Sequence, residues 1–182
     1  MSSERLNPLH GVILDREVQP RWELLGLLDE KLTFSRAVGA AGLYAFVLEN
    51  GLPLYLGKAG GIKPGEQDKW ANDISIRLAE HWSTGPFRGL VRATNARIQV
   101  WVMDLRKVLD RIWERDVERI ENDLIAWLLQ ENERNLPGNT SYEGTSSRRF
   151  VVYIQRVGSE ALPRVTLKPG TSPETRKTRK PV

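Results

Sequence analysis

Two tyrosines brought together by a β-hairpin are the strongest candidates for chemistry in the chain. Tyr44 lies in residues 42–49 (GLYAFVLE) and Tyr55 lies in residues 52–58 (LPLYLGK), with Asn50-Gly51 between the two runs. Both runs are typical of strands, and Asn-Gly favours a tight hairpin because both residues accept positive φ angles. A phenol can donate or accept a hydrogen bond, so such a pair could position a water molecule or take part in proton transfer.

A two-residue loop at the Asn-Gly pair would decide which residues face each other across the hairpin. Phe46 would then pair with Tyr55, and Tyr44 with Gly57. Because side chains alternate along a strand, the two tyrosines and Phe46 share one face. Gly57 would leave Tyr44 uncovered and let a ligand approach the backbone. A three-residue loop with a bulge could change these faces. The opposite face is aliphatic and is predicted to lie in the core: Leu43, Ala45, Val47, Leu54 and Leu56.

A basic pair and a carboxylate further along the chain could complete a site. Asp73 can cap a helix that runs to about residue 82, and Arg77 and His81 are four apart on one face of it. A guanidinium suits phosphate, and an imidazole can accept a proton near neutral pH. Glu121 borders the apolar stripe of a helix predicted over residues 110–130, so its carboxylate could ligate a hard ion such as Mg²⁺.

Each candidate also has a purely structural interpretation. Aromatic residues favour strands, so the tyrosines can be sheet residues packed under a helix. Arg77 and His81 can lie on a solvated helix face, and Glu121 can form a salt bridge at the border of its apolar stripe. Glu118 is an alternative to Glu121, since both carboxylates could flank that stripe.

The elements that would position these residues indicate an α+β fold. Gly85, Pro86 and Gly89 are expected to break the chain, and residues 59–72 to form a loop. The order of elements predicts a small, mostly antiparallel sheet, a hairpin plus a further strand, flanked by helices. The elements are a helix over residues 21–31, the hairpin, a helix from residue 73 to about 82, a strand over 96–104, a helix over 110–130 and a strand over 150–155.

Composition narrows the class of protein. The chain has 182 residues and no cysteine, which excludes disulfides, thiolate zinc sites and a cysteine nucleophile. No apolar run approaches the ~20 residues of a membrane span. The N-terminus lacks the features of a signal peptide, so we expect a cytoplasmic protein.

Three segments are predicted: an N-terminal arm and helix (1–35), a central domain (36–158) and a basic tail without fixed structure (159–182). Of the net charge of +4, residues 171–182 contribute +3, from Arg176, Lys177, Arg179 and Lys180 against Glu174. On charge alone we interpret this tail as a solubilising end, with binding to a polyanionic partner as the alternative interpretation.

Two tripeptides in the hairpin resemble those of a known enzyme family. Gly42-Leu43-Tyr44 and Tyr55-Leu56-Gly57 are similar to the paired motifs of the GIY-YIG nuclease superfamily. The resemblance continues in order through Arg77, His81 and Glu121, and covers about residues 40–140. An arginine followed four residues later by a histidine is most similar to the restriction-endonuclease branch. The long gap before Arg77 departs from the family and implies an inserted loop at 59–72.

The resemblance implies a metal-dependent DNA endonuclease with a catalytic role for each of five residues. Tyr44 would be the general base, or the phenolate that activates water, and His81 would accept or relay its proton. Tyr55 would position the water or the scissile phosphate, and Arg77 would offset charge on it. Glu121 would hold one Mg²⁺ or Mn²⁺ ion.

Three further residues are implied on the substrate side of the site. Gly57 would lie against the substrate, and Lys58 would help to lower the pKa of a phenol. The final asparagine of the family pattern could be Asn135 or Asn139, and we favour Asn139. A homodimer on two-fold DNA sites is implied as well, with the N-terminal helix as a candidate interface. The alternatives are an inactive nucleic-acid-binding module of the same fold, and an unrelated α+β protein.

Overall fold

Helices cover both faces of a four-stranded antiparallel sheet, which confirms the α+β class. The computed structural model describes residues 14–63, 73–132 and 150–169. The strands of the sheet lie in the order β1-β4-β2-β3, and β5 and β6 form a separate hairpin. The elements are β1 (Glu23–Leu27), α1 (Lys31–Arg36), β2 (Gly42–Leu48), β3 (Pro53–Ala59), α2 (Ile74–Thr84), α3 (Pro86–Thr94), β4 (Ile98–Asp104), α4 (Glu114–Asn132), β5 (Phe150–Gln155) and β6 (Arg164–Pro169).

The alternation along β2 builds two hydrophobic cores, one on each face of the sheet. Leu43, Ala45 and Val47 pack with α4 and with the β5–β6 hairpin. Tyr44 and Phe46 pack on the other face with α1, α2 and α3. The aromatic face of the hairpin is therefore covered by helices, while α4 covers the aliphatic face.

The pairing predicted around the tyrosines is correct. Phe46 lies opposite Tyr55, and Tyr44 lies opposite Gly57. Both tyrosines and Phe46 therefore share a face of the sheet, in agreement with the alternation of side chains. This register places Gly57, which has no side chain, directly across from a phenol.

The hairpin loop has three residues and not the predicted two. The backbone N–H of Leu48 donates to the carbonyl of Leu52 at 2.9 Å, and Val47 pairs with Pro53. A register shift between Phe46 and Val47 compensates for the extra loop residue, so the pairing is restored before the tyrosines. The prediction for Leu54 is wrong, because this shift turns its side chain into the core on the aromatic face.

The helix predicted over residues 21–31 is wrong. Glu23–Leu27 is strand β1, which pairs with β4 at an edge of the sheet. The three-residue spacing of Trp22, Leu25 and Leu28 fits a helix, but pairing with β4 satisfies the backbone of this segment. The register shifts between Leu24 and Gly26, where Gly26 has φ +148°. The N-terminal helix suggested as a dimer interface is therefore a strand of the sheet, and the first helix of the described residues starts at Lys31.

The loss of order predicted after residue 158 is wrong as far as residue 169. Strand β6 pairs with β5 along its whole length. Leu162, Val165 and Leu167 are buried in the core beside α4. The alternation of these apolar residues is short and lies among Pro, Thr and Lys residues, so composition alone predicts no strand here. Burial against α4 nevertheless stabilises one. Residues 170–182, which contain the basic cluster, lie outside the described part of the chain.

The helices that carry the candidate residues begin at recognisable signals. The Asp73 carboxylate accepts from the backbone N–H of Ile76 at 3.3 Å and caps α2, as predicted. Pro86 occupies the first turn of α3, where a break was predicted, because proline is tolerated at that position. Within the described ranges, no helix has the length and apolarity needed to cross a membrane.

Candidate active site

A hydrogen bond between Tyr44 and His81 lies at the centre of the site. Strand β2 directs Tyr44 toward α2, and the Tyr44 hydroxyl lies 2.8 Å from Nε2 of His81. Tyr44 is only 1% exposed, whereas His81 is half-buried. The two residues are 37 positions apart in the chain, so it is the packing of α2 on the sheet that creates this contact.

Aromatic rings surround the imidazole of His81. Its centroid lies 4.7 Å from that of Tyr55 and 5.8 Å from that of Tyr44. Phe46 and Phe87 lie at 5.4 Å and 5.9 Å. Such contacts restrict the rotamers of the imidazole and hold Nε2 against the Tyr44 hydroxyl. Phe87 was missed in the sequence because Pro86 was interpreted as a break; the amphipathic run PFRGLVR was the available signal.

Gly57 leaves the space in which the two phenols meet. A Cβ atom at this position would lie 2.6 Å from Cζ and the hydroxyl of Tyr44, and 2.6 Å from Cε1 of Tyr55. Backbone and phenol rings could not accommodate such an atom without moving. The glycine is therefore required by the close approach of both rings to β3.

The pKa values favour a protonated phenol pair and a neutral imidazole at pH 7. Burial raises the pKa of Tyr44 and of Tyr55 above the ordinary value of a phenol. Burial, followed by the positive charge of Arg77, lowers the pKa of His81. An uncharged imidazole has one ring nitrogen free to accept a proton, so His81 can serve as the acceptor for a proton from Tyr44.

Arg77 and Glu121 approach the phenols from different helices. Strand β3 is an edge of the sheet, and α2 and α4 contact it from opposite faces. Both charges act on the two phenols: Arg77 lowers their pKa values and Glu121 raises them, each by less than burial does. The Arg77 guanidinium is half-exposed and forms a salt bridge with Glu80 at 2.7 Å.

The structure distinguishes Glu121 from Glu118. The Lys58 ammonium forms two salt bridges, at 3.5 Å to the Glu118 carboxylate and at 3.8 Å to the Glu114 carboxylate. In the part of the chain that the structure describes, Glu121 forms no salt bridge. Burial raises the pKa of Glu121 to about 7, with a smaller opposing effect from Lys58. Glu121 is therefore the carboxylate whose charge acts on the phenols, whereas Glu118 and Lys58 belong to a neighbouring ion cluster.

No model of a known protein family matches the chain, and no curated protein or solved structure matches it either. The function of the site is therefore inferred from the contacts of its own residues. Five side chains that are far apart in the sequence act on one another here: Tyr44, Tyr55, Arg77, His81 and Glu121.

Of the residues predicted on the substrate side of the site, some lie at the site and others lie outside the described residues. Gly57 lies under both phenols, and Lys58 lies beside the site in contact with Glu114 and Glu118. Asn135 and Asn139 lie outside the described residues, as do residues 64–72 of the predicted inserted loop.

Among the described residues, the site offers a divalent cation one carboxylate and not a complete set of protein ligands. The described residues contain no group of three or more His, Cys, Asp or Glu side chains placed to share an ion. The oxygen of a single carboxylate such as that of Glu121 suits Mg²⁺, which commonly keeps several waters and binds through one or two carboxylates and substrate phosphates.

Proposed function

We propose that the chain is a metal-dependent DNA endonuclease of the GIY-YIG type, and that it hydrolyses phosphodiester bonds. The observation that carries this proposal is the 2.8 Å contact between the Tyr44 hydroxyl and Nε2 of His81. It joins a phenol to a base in a site that also holds Tyr55, a guanidinium and a half-buried carboxylate. A cytoplasmic enzyme of the restriction type is the subtype that we propose.

Tyr44 acts as a proton carrier in this proposal and not as a free phenolate. Burial raises the pKa of Tyr44, so an isolated phenolate is unfavourable at neutral pH. As the Tyr44 oxygen takes a proton from the attacking water, the phenolic proton passes to Nε2 of His81. Histidine is then the final acceptor, and the phenol begins and ends the step protonated. Because Tyr44 is 1% exposed, the water approaches from the side of the half-buried Tyr55.

The oxygen of that water forms a bond to phosphorus while the bond to the leaving oxygen breaks. Negative charge increases on the phosphoryl oxygens, and the Arg77 guanidinium offsets that charge. Tyr55 holds the water or the phosphate in line. Glu121 would be the protein ligand of a divalent cation, which supplies Lewis-acid stabilisation of the reacting phosphate when bound.

Plasmid cleavage tests the proposed activity. The full chain is incubated with supercoiled plasmid and Mg²⁺ or Mn²⁺, next to Glu121→Gln and the control Asp123→Asn. Asp123 lies on the same helix but pairs with Arg119 at 3.8 Å, so its substitution removes a carboxylate outside the site. We expect cleavage by the wild type and by the control, and none by Glu121→Gln. Discrete fragments would identify a restriction enzyme, whereas a smear would identify a nonspecific nuclease.

A module that binds DNA without cutting it is the second candidate, and the burial of Tyr44 is the observation that favours it. An active site needs water at the phenol, and a side chain that is 1% exposed admits little of it. Bound but intact plasmid under all metal conditions would support this candidate and reject the nuclease.

A further inference from the structure

Helix α3 carries two arginines and lies in a segment of the sequence that has no acidic residue. Residues 81–103 contain three arginines and no Asp or Glu. Arg88 and Arg92 are four residues apart on α3, so they project from the same side of the helix. The third, Arg97, follows the helix and forms a salt bridge with Glu49 at 3.2 Å. We call the surface formed by Arg88, Gly89 and Arg92 the arginine face.

The two helical arginines differ from the others near the site in their partners. Arg77 and Arg97 form salt bridges with Glu80 and Glu49. Neither Arg88 nor Arg92 forms a salt bridge within residues 14–63, 73–132 and 150–169. The guanidinium of Arg88 lies 5.9 Å from the centroid of the Trp82 ring, and its buried Nε has no hydrogen-bond acceptor among those residues. Two positive charges are thus available to a ligand.

The arginine face is fixed next to the candidate active site. Phe87, immediately before Arg88, is 5% exposed, and its ring lies 5.7 Å from that of Tyr55. Trp82, which Arg88 covers, follows His81 directly. At Gly89, which follows Arg88 on α3, an added Cβ atom would meet nothing within 4 Å, so the surface at this position is open.

We infer that the arginine face binds the sugar-phosphate backbone of duplex DNA beside the phosphate that reaches the tyrosines. This inference deepens the proposed function and rests on it. Arginine suits phosphate because its planar guanidinium can form paired, charge-assisted hydrogen bonds to phosphate oxygens. Backbone contacts of this kind set the position of DNA but do not read its sequence. The face therefore supplies affinity and register, and leaves sequence recognition to other parts of the chain.

The test measures DNA binding without cleavage. Binding of the full chain to a fluorescein-labelled DNA duplex is followed by anisotropy in EDTA, as KCl is raised from 50 to 200 mM. The variants are Arg88→Gln/Arg92→Gln and the single Arg92→Gln, which changes an exposed residue and does not touch Trp82. The control is Arg97→Gln/Arg164→Gln, which removes an equal number of positive charges from exposed positions outside α3. Circular dichroism and thermal melting establish that each variant is folded.

The slope of log Kobs against log[KCl] is the readout. Each lost phosphate contact lowers its magnitude by about 0.9. We expect a decrease of about 1.8 for the double variant and about 0.9 for Arg92→Gln, with the control at the wild-type slope. Between 50 and 200 mM KCl, the wild type should then lose about tenfold more affinity than the double variant.

Equal slopes for the double variant and its control would overturn the inference, since the effect would be one of net charge. The inference would also be overturned if the variants changed the slope for duplex RNA but not for duplex DNA. A wild type that binds no DNA would overturn it as well. If the arginine variants change the slope but the wild type never cuts DNA, the arginine face stands and the proposed nuclease activity fails. The two proposals can therefore fail separately.

Discussion

Gly57 and Tyr44 lie opposite each other on neighbouring strands, so close that a Cβ atom on Gly57 would come within 2.6 Å of the phenol oxygen. The second strand of the hairpin therefore determines where the phenol of the first can lie. An alanine at position 57 would add one methyl group, so it tests the geometry of the site with a small change in chemistry.

Gly57→Ala should displace both phenols from their contacts with β3. We expect a loss of stability of about 1–3 kcal/mol, typical of overpacking, and a larger loss of cleavage than stability alone explains. Urea denaturation and single-turnover rates measure the two effects. Gly89→Ala is the stability control: its Cβ meets nothing, so helix propensity should stabilise it by about 0.5–1 kcal/mol. A Gly57→Ala variant with wild-type stability and rate would contradict the described packing.

Phe87→Leu should loosen the imidazole of His81. Phe87 contacts His81 and Tyr55 at centroid distances of 5.9 Å and 5.7 Å, so the smaller side chain leaves both rings less restrained. We expect destabilisation of about 1–2 kcal/mol. We also expect a lower single-turnover rate when cleavage is measured at a temperature well below the melting temperature. Phe34→Leu is the matched control, because Phe34 packs at the border of the same core. If both variants lose rate equally, Phe87 has no positioning role.

Glu121→Gln should change the pH dependence of stability. In the folded chain the pKa of Glu121 rises from 4.5 to about 7, so the folded state binds this proton more tightly than the unfolded state. The contribution to stability is full below pH 4.5 and is lost as the pH rises to about 7. Because the residue is half-buried, solvent screening limits the effect to about 1–3 kcal/mol.

Urea denaturation at pH 5 and pH 8 measures this effect. The difference in the free energy of unfolding, Glu121→Gln minus wild type, should be larger at pH 8 than at pH 5. Glu49→Gln, which removes a carboxylate from an exposed ion pair with Arg97, is the control for the loss of an acidic side chain outside the site. Parallel curves for Glu121→Gln would show that its carboxylate is not perturbed by burial.

The sequence predicted the hairpin well near the tyrosines and poorly near its turn. The Asn-Gly signal and the alternation of side chains suffice to pair Phe46 with Tyr55. They do not reveal that the loop takes three residues and that a register shift restores the pairing, which moves Leu54 to the other face. A one-residue shift is invisible in a pattern whose apolar residues occupy both faces.

Long-range contacts account for the other differences. Residues 23–27 have the spacing of a helix, yet β4 supplies backbone partners that only the folded sheet offers. The choice between Glu121 and Glu118 likewise depends on Lys58, which is 60 residues from Glu118 in the chain. Phe87 could have been recognised from its amphipathic surroundings, had Pro86 been interpreted as the first residue of a helix.

The proposed proton transfer is tested most directly by Tyr44→Phe, which removes the hydroxyl that contacts His81 and very little volume. Single-turnover cleavage and DNA affinity are measured for the wild type, for Tyr44→Phe and for Tyr153→Phe, whose phenol is 52% exposed on β5. We expect Tyr44→Phe to lower the cleavage rate by at least ~100-fold with near-normal DNA affinity, and Tyr153→Phe to behave as the wild type. Cleavage by Tyr44→Phe at the wild-type rate would contradict the proposed proton transfer from water through Tyr44 to His81.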